Sequence, residues 1–449
     1  MNNASTKSQT SKKLDQWFDL SKNKTSIKQE LVAGMTTFVA MSYILFVNPT
    51  VLGAAGMNKG AVFVATALAA VIGCVATALL ANYPIAIAPS LGTNAFFAYT
   101  VCVGMKIPWQ TAIAGTFAAS VLFFLITIFK IREKFIDAIP ADLKSALAAG
   151  IGLFVAFVGL QEGGLVQMNK STMLTITNFH SPVVWLSVFG LVVTIILITM
   201  NVPGNMLLGM VATSVVGIMT GLIKMPTKFV STVPSLKPTF GQAFINFDKI
   251  FTPEMLTVVI IFFLVAFFDT TGTVVGLAEQ AGFIKRGEKI PPRVGKTLLS
   301  DATSMVGSSI LGSSPTSAYV ESSTGIAAGG RTGLTSLTVA ALFGLSLFFS
   351  PLLSVVTSQV TAPIMIIVGS FMIKSLDTID WNKFESAFPA FVTIVGMPLF
   401  YDISYGFAFG VMSYVIIMVA KGKAKKVHLP MYILFVVFIF LLIAMNKAG

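Results

Sequence analysis

The chain has 449 residues, of which 55% are hydrophobic and 11% are charged, and its mean hydropathy is +0.85. A soluble domain of this length would carry about 25% charged residues, so the composition excludes an ordinary soluble protein. Apolar runs of membrane length recur from residue 31 to residue 446, which predicts an all-α polytopic membrane protein and excludes a β-barrel, because barrel strands are short and alternate in polarity.

The N-terminal segment is polar, and the rest of the chain is a series of apolar segments. Residues 1–28 are rich in Ser, Thr, Asn and Lys, which predicts a disordered cytoplasmic tail without a secretory signal. An apolar stretch at 430–446 either spans the membrane or lies against the helix bundle. Between them we predict 14 membrane spans, at residues 29–47, 62–81, 85–103, 110–129, 145–161, 182–200, 205–223, 255–278, 297–311, 314–329, 334–352, 361–376, 386–400 and 403–420.

The basic residues predict the orientation of these spans. Most of the 30 Lys and Arg residues lie in the tail and in the loops after even-numbered spans. Because cytoplasmic loops carry an excess of these residues, the N-terminus is predicted to be cytoplasmic in a multi-pass protein of the cell membrane. The loop 224–254, with four Lys residues on the predicted outer side, fits least well. The same rule explains the net charge of +12, so we expect no nucleic-acid partner.

The two halves of the chain resemble each other. The string LGTNAFFA at 91–98 aligns with SPTSAYVE at 314–321, and at nearly the same offset Glu30 at the start of the first span aligns with Glu254 just before the eighth. Seven spans per half is an odd number, so the second half enters the membrane from the opposite side. This pattern predicts an inverted repeat of seven plus seven spans, which many secondary transporters have.

Helix-breaking residues interrupt spans three and ten. Residues 84–94 and 307–317 are rich in Pro, Gly, Ser and Thr, which remove amide donors, loosen the backbone or compete for its hydrogen bonds. We therefore predict that each segment begins as a short extended stretch and continues as a half-helix whose N-terminus leaves free N–H groups near the midplane. The alternative is that Gly and Ser simply allow close packing of helices.

Two acidic residues lie inside apolar segments of membrane length. They are Asp269 in FFDTTGTVVG and Glu321 in YVESSTG. Inserting an Asp at the centre of a membrane helix costs about 2.5–3.5 kcal/mol, so such residues are kept where they face a cavity or a partner. Thr273 shares a helix face with Asp269. A structural hydrogen bond is the alternative role for each acid, and helix capping is the alternative role for Asn94.

The remaining chemistry-bearing residues suggest no enzyme. Cys74 and Cys102 have no metal-ligand spacing and a disulfide between them is not expected, while His180 and His428 lie outside the predicted spans. We therefore expect no cofactor, no metal site and no catalytic residues. Proton coupling through Asp269 or Glu321 has a physical basis, because a buried carboxyl can bind and release a proton, but sodium coupling is left open.

Several long strings resemble a known family, the AzgA-like purine permeases of nucleobase–cation symporter family 2, and among them the bacterial hypoxanthine/guanine permeases. The resemblance covers nearly all of residues 25–425. The strings that carry it are GMTTFVAMSYILFVNP (34–49), YPIAIAPSLGTNAFFAYTV (83–101), IPWQTAIAG (107–115), AIPADLKSALAAGIGLFVAFVGLQ (138–161), FFDTTGTVVGLA (267–278) and YVESSTGIAAGGRTGLTS (319–336).

The resemblance implies a division into two domains. Spans 1–4 at 29–130 and spans 8–11 at 255–352 would form a core domain. Spans 5–7 at 141–223 and spans 12–14 at 361–420 would form a gate domain, with 430–446 as an extra C-terminal segment. The core is expected to move against the gate in an elevator-type motion, and a homodimer through the gate domains is expected.

The resemblance also implies the substrate-binding residues. The purine is expected to contact Asp269, Glu321 and Asn94, with Thr273 supporting Asp269. Phe96 and Val320 would add packing or main-chain contacts beside the base.

The chain departs from the family near this site. The family usually has APGMGLNAFF where this chain has APSLGTNAFF, so Ser90 and Thr93 replace a Gly and a Leu. The departure puts the base preference in doubt, because Thr93 could add a hydrogen bond to the base.

From the residues and the resemblance together we expect proton-coupled uptake of purine nucleobases, hypoxanthine or guanine and conceivably adenine, by alternating access. The alternatives left open are a transporter of the same fold for another small solute, an anion or a pyrimidine, and sodium-coupled purine transport.

Overall fold

The computed structural model describes residues 9–129, 139–169, 172–177, 179–283 and 292–445. Within these ranges, nine helices are long and apolar enough to cross a membrane, and four further apolar helices are shorter. The predicted class, a helical polytopic membrane protein, agrees with this count of helices.

The predicted disordered tail is wrong for residues 9–28. Residues Gln9–Phe18 form helix α1, and the eight residues before it lie outside the described ranges. Phe18 and Leu20 are buried in a small apolar cluster, and the Asn82 amide donates to the carbonyl of Phe18 at 2.9 Å. The polar composition of the segment concealed these two apolar side chains, which anchor it to the bundle.

The first half of the chain contains eight further helices and three short strands. Two helices continue as π-helical turns, α4 over Thr77–Ala81 and α5 over Phe96–Gly104. The hairpin of β2 and β3 was not predicted. The elements are α2 (Ile27–Met41), α3 (Ile44–Ala54), α4 (Lys59–Ala76), β1 (Ile87–Pro89), α5 (Leu91–Ala95), α6 (Trp109–Ile128), α7 (Ala141–Glu162), β2 (Val166–Asn169), β3 (Met173–Ile176), α8 (Pro182–Thr199) and α9 (Asn205–Met219).

The second half contains nine helices and one strand, joined in places by short 3₁₀ turns. The 3₁₀ turns are Phe247–Phe251, Leu347–Val355, Ile373–Thr378 and Ala424–Lys426. The helices and the strand are α10 (Gln242–Ile245), α11 (Pro253–Gln280), α12 (Pro292–Leu311), β4 (Thr316–Ala318), α13 (Ser322–Ala327), α14 (Gly333–Ser346), α15 (Ser358–Met372), α16 (Phe384–Phe400), α17 (Ile403–Ala420) and α18 (Leu429–Met445).

The two interrupted segments meet as a pair of antiparallel strands. Ala88 in β1 is opposite Ser317 in β4, and the register runs from Ile87 with Ala318 to Pro89 with Thr316. The predicted extended stretches in segments three and ten are therefore present. Pairing satisfies backbone groups that apolar surroundings would leave without partners, which is why extended chain is tolerated here.

The alignment used to match the two halves is shifted relative to the structure. Residues 91–95 are helical in α5, whereas their aligned counterparts at 314–318 include the strand β4. The equivalent half-helix begins later, at Ser322. Phe96 and Tyr319 are therefore not equivalent positions, although strand followed by half-helix is common to both segments.

The long helices pack as two bundles. The first bundle consists of α2, α4, α6, α11, α12 and α14, and the second consists of α7, α8, α9, α15, α16 and α17. The bundles meet where α5 and α11 contact α7. The division into core and gate domains that move relative to each other stays a prediction.

Two contacts outside the bundles' interiors complete the architecture. The carboxylate of Glu30, in the first turn of α2, accepts hydrogen bonds from the backbone N–H of Arg331 at 2.9 Å and of Thr335 at 3.2 Å, so it caps the start of α14. At the other end of the chain, α18 packs against α17 and α11, with Phe438 buried against Phe407. Leu429–Met445 is thus a helix packed on its neighbours, and whether the stretch 430–446 also spans the membrane stays a prediction.

Candidate functional site

Asp269 lies near the middle of α11, half-buried, and a serine from each interrupted segment lies beside it. Ser90, which follows β1, donates from Oγ to Asp269 Oδ2 at 3.0 Å. Ser317, in β4, interacts with the same carboxylate, while its hydroxyl donates to the Ala318 carbonyl at 3.3 Å. The pairing of β1 with β4 brings these two serines to the same carboxylate, so the interrupted segments position the acid directly.

Asp269 lines a small cavity between the two bundles. On the side of the first bundle, the cavity is lined by Gly92, Val265 and Phe268. The second bundle contributes one face of α7 together with α15. The residues on the second bundle's side are Leu147, Ala148, Ile151 and Met372. An acid on the wall of a mostly apolar cavity between the bundles makes this the candidate site for a small ligand.

Glu321 lies just before α13 and is held by a tyrosine from the other repeat. The Tyr43 hydroxyl, in the break between α2 and α3, donates to Glu321 Oε1 at 2.7 Å. The Tyr43 side chain is 1% exposed. Glu321 is beside the cavity rather than among the residues that line it. Its carboxylate and that of Asp269 are close enough to repel each other when both are ionised.

The half-helix α13 does not leave its first N–H groups free. The amides of Ser322, Ser323 and Thr324 donate to the carbonyls of the three residues from Tyr319 to Glu321, at 2.9–3.0 Å. The prediction of free N–H groups at the midplane is therefore wrong for these three. A tight turn precedes the helix and uses them, which a pattern of Gly, Ser and Pro does not reveal.

Asn94 belongs to a buried polar network instead of facing the cavity. Its Nδ2 donates to Asn48 Oδ1 at 3.0 Å, and Asn48 in turn donates to Thr66 and Ser313. The Oδ1 atom of Asn94 is buried without a hydrogen-bond partner in the protein. Asn94 thus ties α5 to α3, which is a structural role in this conformation.

The other four predicted site residues occupy different surroundings. Thr93 donates to the Pro315 carbonyl at 3.0 Å, so its hydroxyl is used by the backbone of the other repeat. Phe96 is fully buried and packs edge-on against Phe262, with ring centroids 4.7 Å apart. Val320 is 62% exposed, and Thr273 is half-buried one turn after Asp269.

Sequence reasoning missed several residues that organise the site. Tyr43 and Ser317 contact the two acids, yet neither was singled out. Asp301, in α12, is fully buried and accepts from Thr270 at 2.6 Å and from Thr316 at 3.1 Å. The available signal was a polar side chain inside an apolar run, which Tyr43 provides in span one.

Aromatic and charged side chains close the bundle interface on either side of the cavity. Tyr99, at the end of span three, interacts with the carboxylate of Glu162 of α7 and lies edge-on to Tyr401, with ring centroids 6.5 Å apart. On the side where α7 begins, Lys144 Nζ lies 5.8 Å from the centroid of the Phe268 ring. The cavity is therefore bounded by contacts that cross between the bundles.

Comparison with known proteins places the chain among membrane permeases. The family model Xan_ur_permease, described as a permease family, matches residues 28–409. The guanine/hypoxanthine permease PbuG of Bacillus subtilis is 50% identical over 424 residues, which is 92% of this chain and 96% of that protein. The adenine permease AdeQ of Escherichia coli is 39% identical over 431 residues, which is 96% of each chain.

Solved structures match at the level of the fold. The transmembrane domain of the cyanobacterium bicarbonate transporter BicA aligns with a TM-score of 0.60 at 18% identity, covering 88% of this chain and 96% of that one. SLC26A9 aligns with a TM-score of 0.63 at 11% identity, covering 92% and 70%. This likeness confirms the predicted helical fold of two seven-segment repeats. How many segments cross the whole membrane, and so the count of 14 spans, stays a prediction.

Proposed function

The chain belongs to the permease family whose model matches residues 28–409, and from that premise we propose that it takes up purine nucleobases together with protons. The bases are hypoxanthine, guanine or adenine. Relatives named as guanine/hypoxanthine and adenine permeases support the substrate class. The observation that carries the proposal is the carboxylate of Asp269 on the wall of an otherwise apolar cavity between two bundles.

The chemistry of the cavity suits a purine. A carboxylate has about four acceptor positions, and Ser90 uses one of them. The remaining positions can accept from N–H groups on the edge of a base. The ring of Phe268 and the aliphatic walls at Ile151 and Val265 provide contact area for a flat heterocycle.

Glu321 carries the coupling proton. Two carboxylates close together in a poorly hydrated site repel each other, and one bound proton removes the repulsion. A proton taken up on the outside with the base and released to the cytoplasm couples uptake to the proton gradient. Asp269 already accepts from the Ser90 hydroxyl and interacts with Ser317, so its carboxylate is committed to binding rather than to proton exchange.

Transport proceeds by alternating access, with the first bundle, as core, moving against the second, as gate. The cavity has walls from both bundles, so relative movement changes its opening. The contact of Tyr99 with Glu162 and Tyr401 closes the side that the predicted topology places outside the cell. The protein lies in the cell membrane with a cytoplasmic N-terminus and forms a homodimer through the second bundle.

Anion transport is the second candidate, since one solved neighbour is named as a bicarbonate transporter. That neighbour is only 18% identical, and its likeness concerns the fold alone. In this chain the acids Asp269 and Glu321 at the site would repel an anion, which favours a neutral base.

The test is uptake of labelled hypoxanthine, guanine and adenine by cells that lack their own purine carriers. Saturable uptake that collapses with a protonophore and persists without sodium is the expected result. Uptake that requires sodium would show that sodium, and not the proton, is the coupling ion. Absence of purine uptake, with the protein present in the membrane, would overturn the proposed substrate class, and labelled uracil and bicarbonate would then test the alternatives.

A further inference from the structure

We propose that Tyr43 is a positioning residue that sets the pH range over which Glu321 exchanges its proton. The inference deepens the proposed function and rests on it. Its basis is a direct contact: the Tyr43 hydroxyl donates to Glu321 Oε1 at 2.7 Å, although the two residues are 278 positions apart. Tyr43 does not line the cavity, so its role differs from that of a substrate contact.

The fold holds Tyr43 in place from both sides. The residue occupies the break between α2 and α3, where the Ser42 hydroxyl donates to the carbonyl of Val39 at 3.2 Å. Its ring is fully buried in the main apolar cluster. Because α13 also packs against α2, the donor and the carboxylate that accepts it belong to one rigid part of the first bundle.

Few titratable groups face Glu321. Asp269 approaches it from α11, and Tyr43 approaches from span one. Tyr319, two residues before Glu321, is also near it, but its hydroxyl donates to the Pro89 carbonyl at 2.6 Å. The charged pair at the far end of α13 is occupied elsewhere, since Glu30 caps α14 and Arg331 Nη1 donates to the Ile326 carbonyl. Among these groups, Tyr43 is therefore the neutral residue that donates a hydrogen bond to the Glu321 carboxylate.

A hydrogen-bond donor of this kind shifts the pH at which the carboxyl binds a proton. A hydrogen bond from a hydroxyl stabilises the ionised carboxylate more than the protonated form. The transported proton binds the carboxylate of Glu321 and leaves from it to cytoplasmic water, while Tyr43 keeps its own proton throughout. Without the hydroxyl, Glu321 would hold the transported proton to a higher pH.

The first test is Tyr43→Phe, which removes the hydroxyl and keeps the ring. The measurement is initial purine uptake against external pH, reported as the pH at which uptake falls to half its maximum. We expect that midpoint to rise by about one pH unit, because a hydrogen bond to a charged group is worth roughly one tenfold step in an equilibrium. The matched control is Tyr319→Phe, whose hydroxyl binds a backbone carbonyl, and its midpoint should stay at the wild-type value.

A second variant acts in the opposite direction and protects the test against misfolding. Site-specific incorporation of fluorotyrosine at position 43 makes the hydroxyl a stronger donor without changing the ring's shape, so the midpoint should fall. Wild-type midpoints in both the Phe and the fluorotyrosine variants, with the proteins present in the membrane, would overturn the inference about Tyr43. By contrast, wild-type uptake that does not vary with pH would overturn proton coupling itself, so the two failures are distinguishable.

Discussion

Ser90 Oγ donates a hydrogen bond to Asp269 Oδ2 at 3.0 Å, although the two residues are 179 positions apart. The bond joins the interrupted third segment to the long helix α11. Ser317 in the paired strand interacts with the same carboxylate, so each interrupted segment places one serine beside the acid. The orientation of Asp269 in the cavity therefore depends on the pairing of the two strands.

Asp269→Asn should reduce purine uptake by about tenfold or more, because the amide replaces one acceptor with a donor and leaves a buried polar group unpaired. The protein should still reach the membrane, since the side chain keeps its size. Uptake of labelled hypoxanthine per unit of membrane-inserted protein checks this. The control is Asp248→Asn, an exposed acid far from the cavity. Wild-type uptake by Asp269→Asn would remove this residue from the site.

Glu321→Gln should separate binding from coupling. The amide retains the shape of the side chain but cannot release a proton, so the variant should still exchange internal for external purine and should not accumulate it. Exchange and accumulation are measured in parallel in proteoliposomes with an imposed pH gradient. Glu254→Gln, near the start of α11, serves as the matched control. Gradient-driven accumulation by Glu321→Gln would assign the coupling proton to another group.

Ser90→Ala should weaken purine binding without abolishing it. Losing the Ser90 hydroxyl donor lets the Asp269 carboxylate rotate, and we expect the Michaelis constant to rise about fivefold to tenfold, the size of one hydrogen bond to a charged group. Concentration-dependent uptake measures the effect. Ser413→Ala removes a hydroxyl that bonds only within α17 and should leave the Michaelis constant unchanged. Equal constants for the two variants would contradict the role given to Ser90.

Tyr99→Phe should weaken the closed contact between the bundles. It removes the hydroxyl that interacts with Glu162 while keeping the ring against Tyr401. The half-buried Cys102 lies three residues further along the same segment, so its labelling by a membrane-impermeant maleimide should become severalfold faster. Cys102→Ala measures the background, and Tyr432→Phe, which loses a hydrogen bond to Ala424, is the distant control. An unchanged labelling rate would mean that this contact does not govern opening on this side.

Glu30→Gln should lower the melting temperature of the detergent-solubilised protein by several degrees. The carboxylate accepts from three backbone amides and from Thr335 Oγ1 at 2.6 Å, and the amide has only one oxygen to serve these donors. Glu254, an acid in the first turn of α11, is half-buried, so Glu254→Gln should have a smaller effect. Equal melting temperatures in the two variants would argue against the capping role.

How far the sequence could predict this protein depends on the range of the interactions concerned. Apolar runs, the broken segments and the two lone acids are local features, and each predicted a real feature of the fold or placed an acid at the bundle interface. The register of the repeat failed because a few aligned residues cannot distinguish a strand from the half-helix that follows it. Phe96 and Asn94 had the right composition for the site, but their neighbours Phe262 and Asn48 turn them away from the cavity.

The sequence by itself determined that the chain is a helical membrane protein with two acids at membrane depth, because hydrophobic length and the cost of burying charge act along the chain. Only the tertiary structure decided which side chains serve those acids. Ser90, Ser317 and Tyr43 reach Asp269 and Glu321 from distant parts of the chain, through the pairing of β1 with β4 and the break in span one. Such partners are set by packing between repeats, which no local pattern of residues encodes.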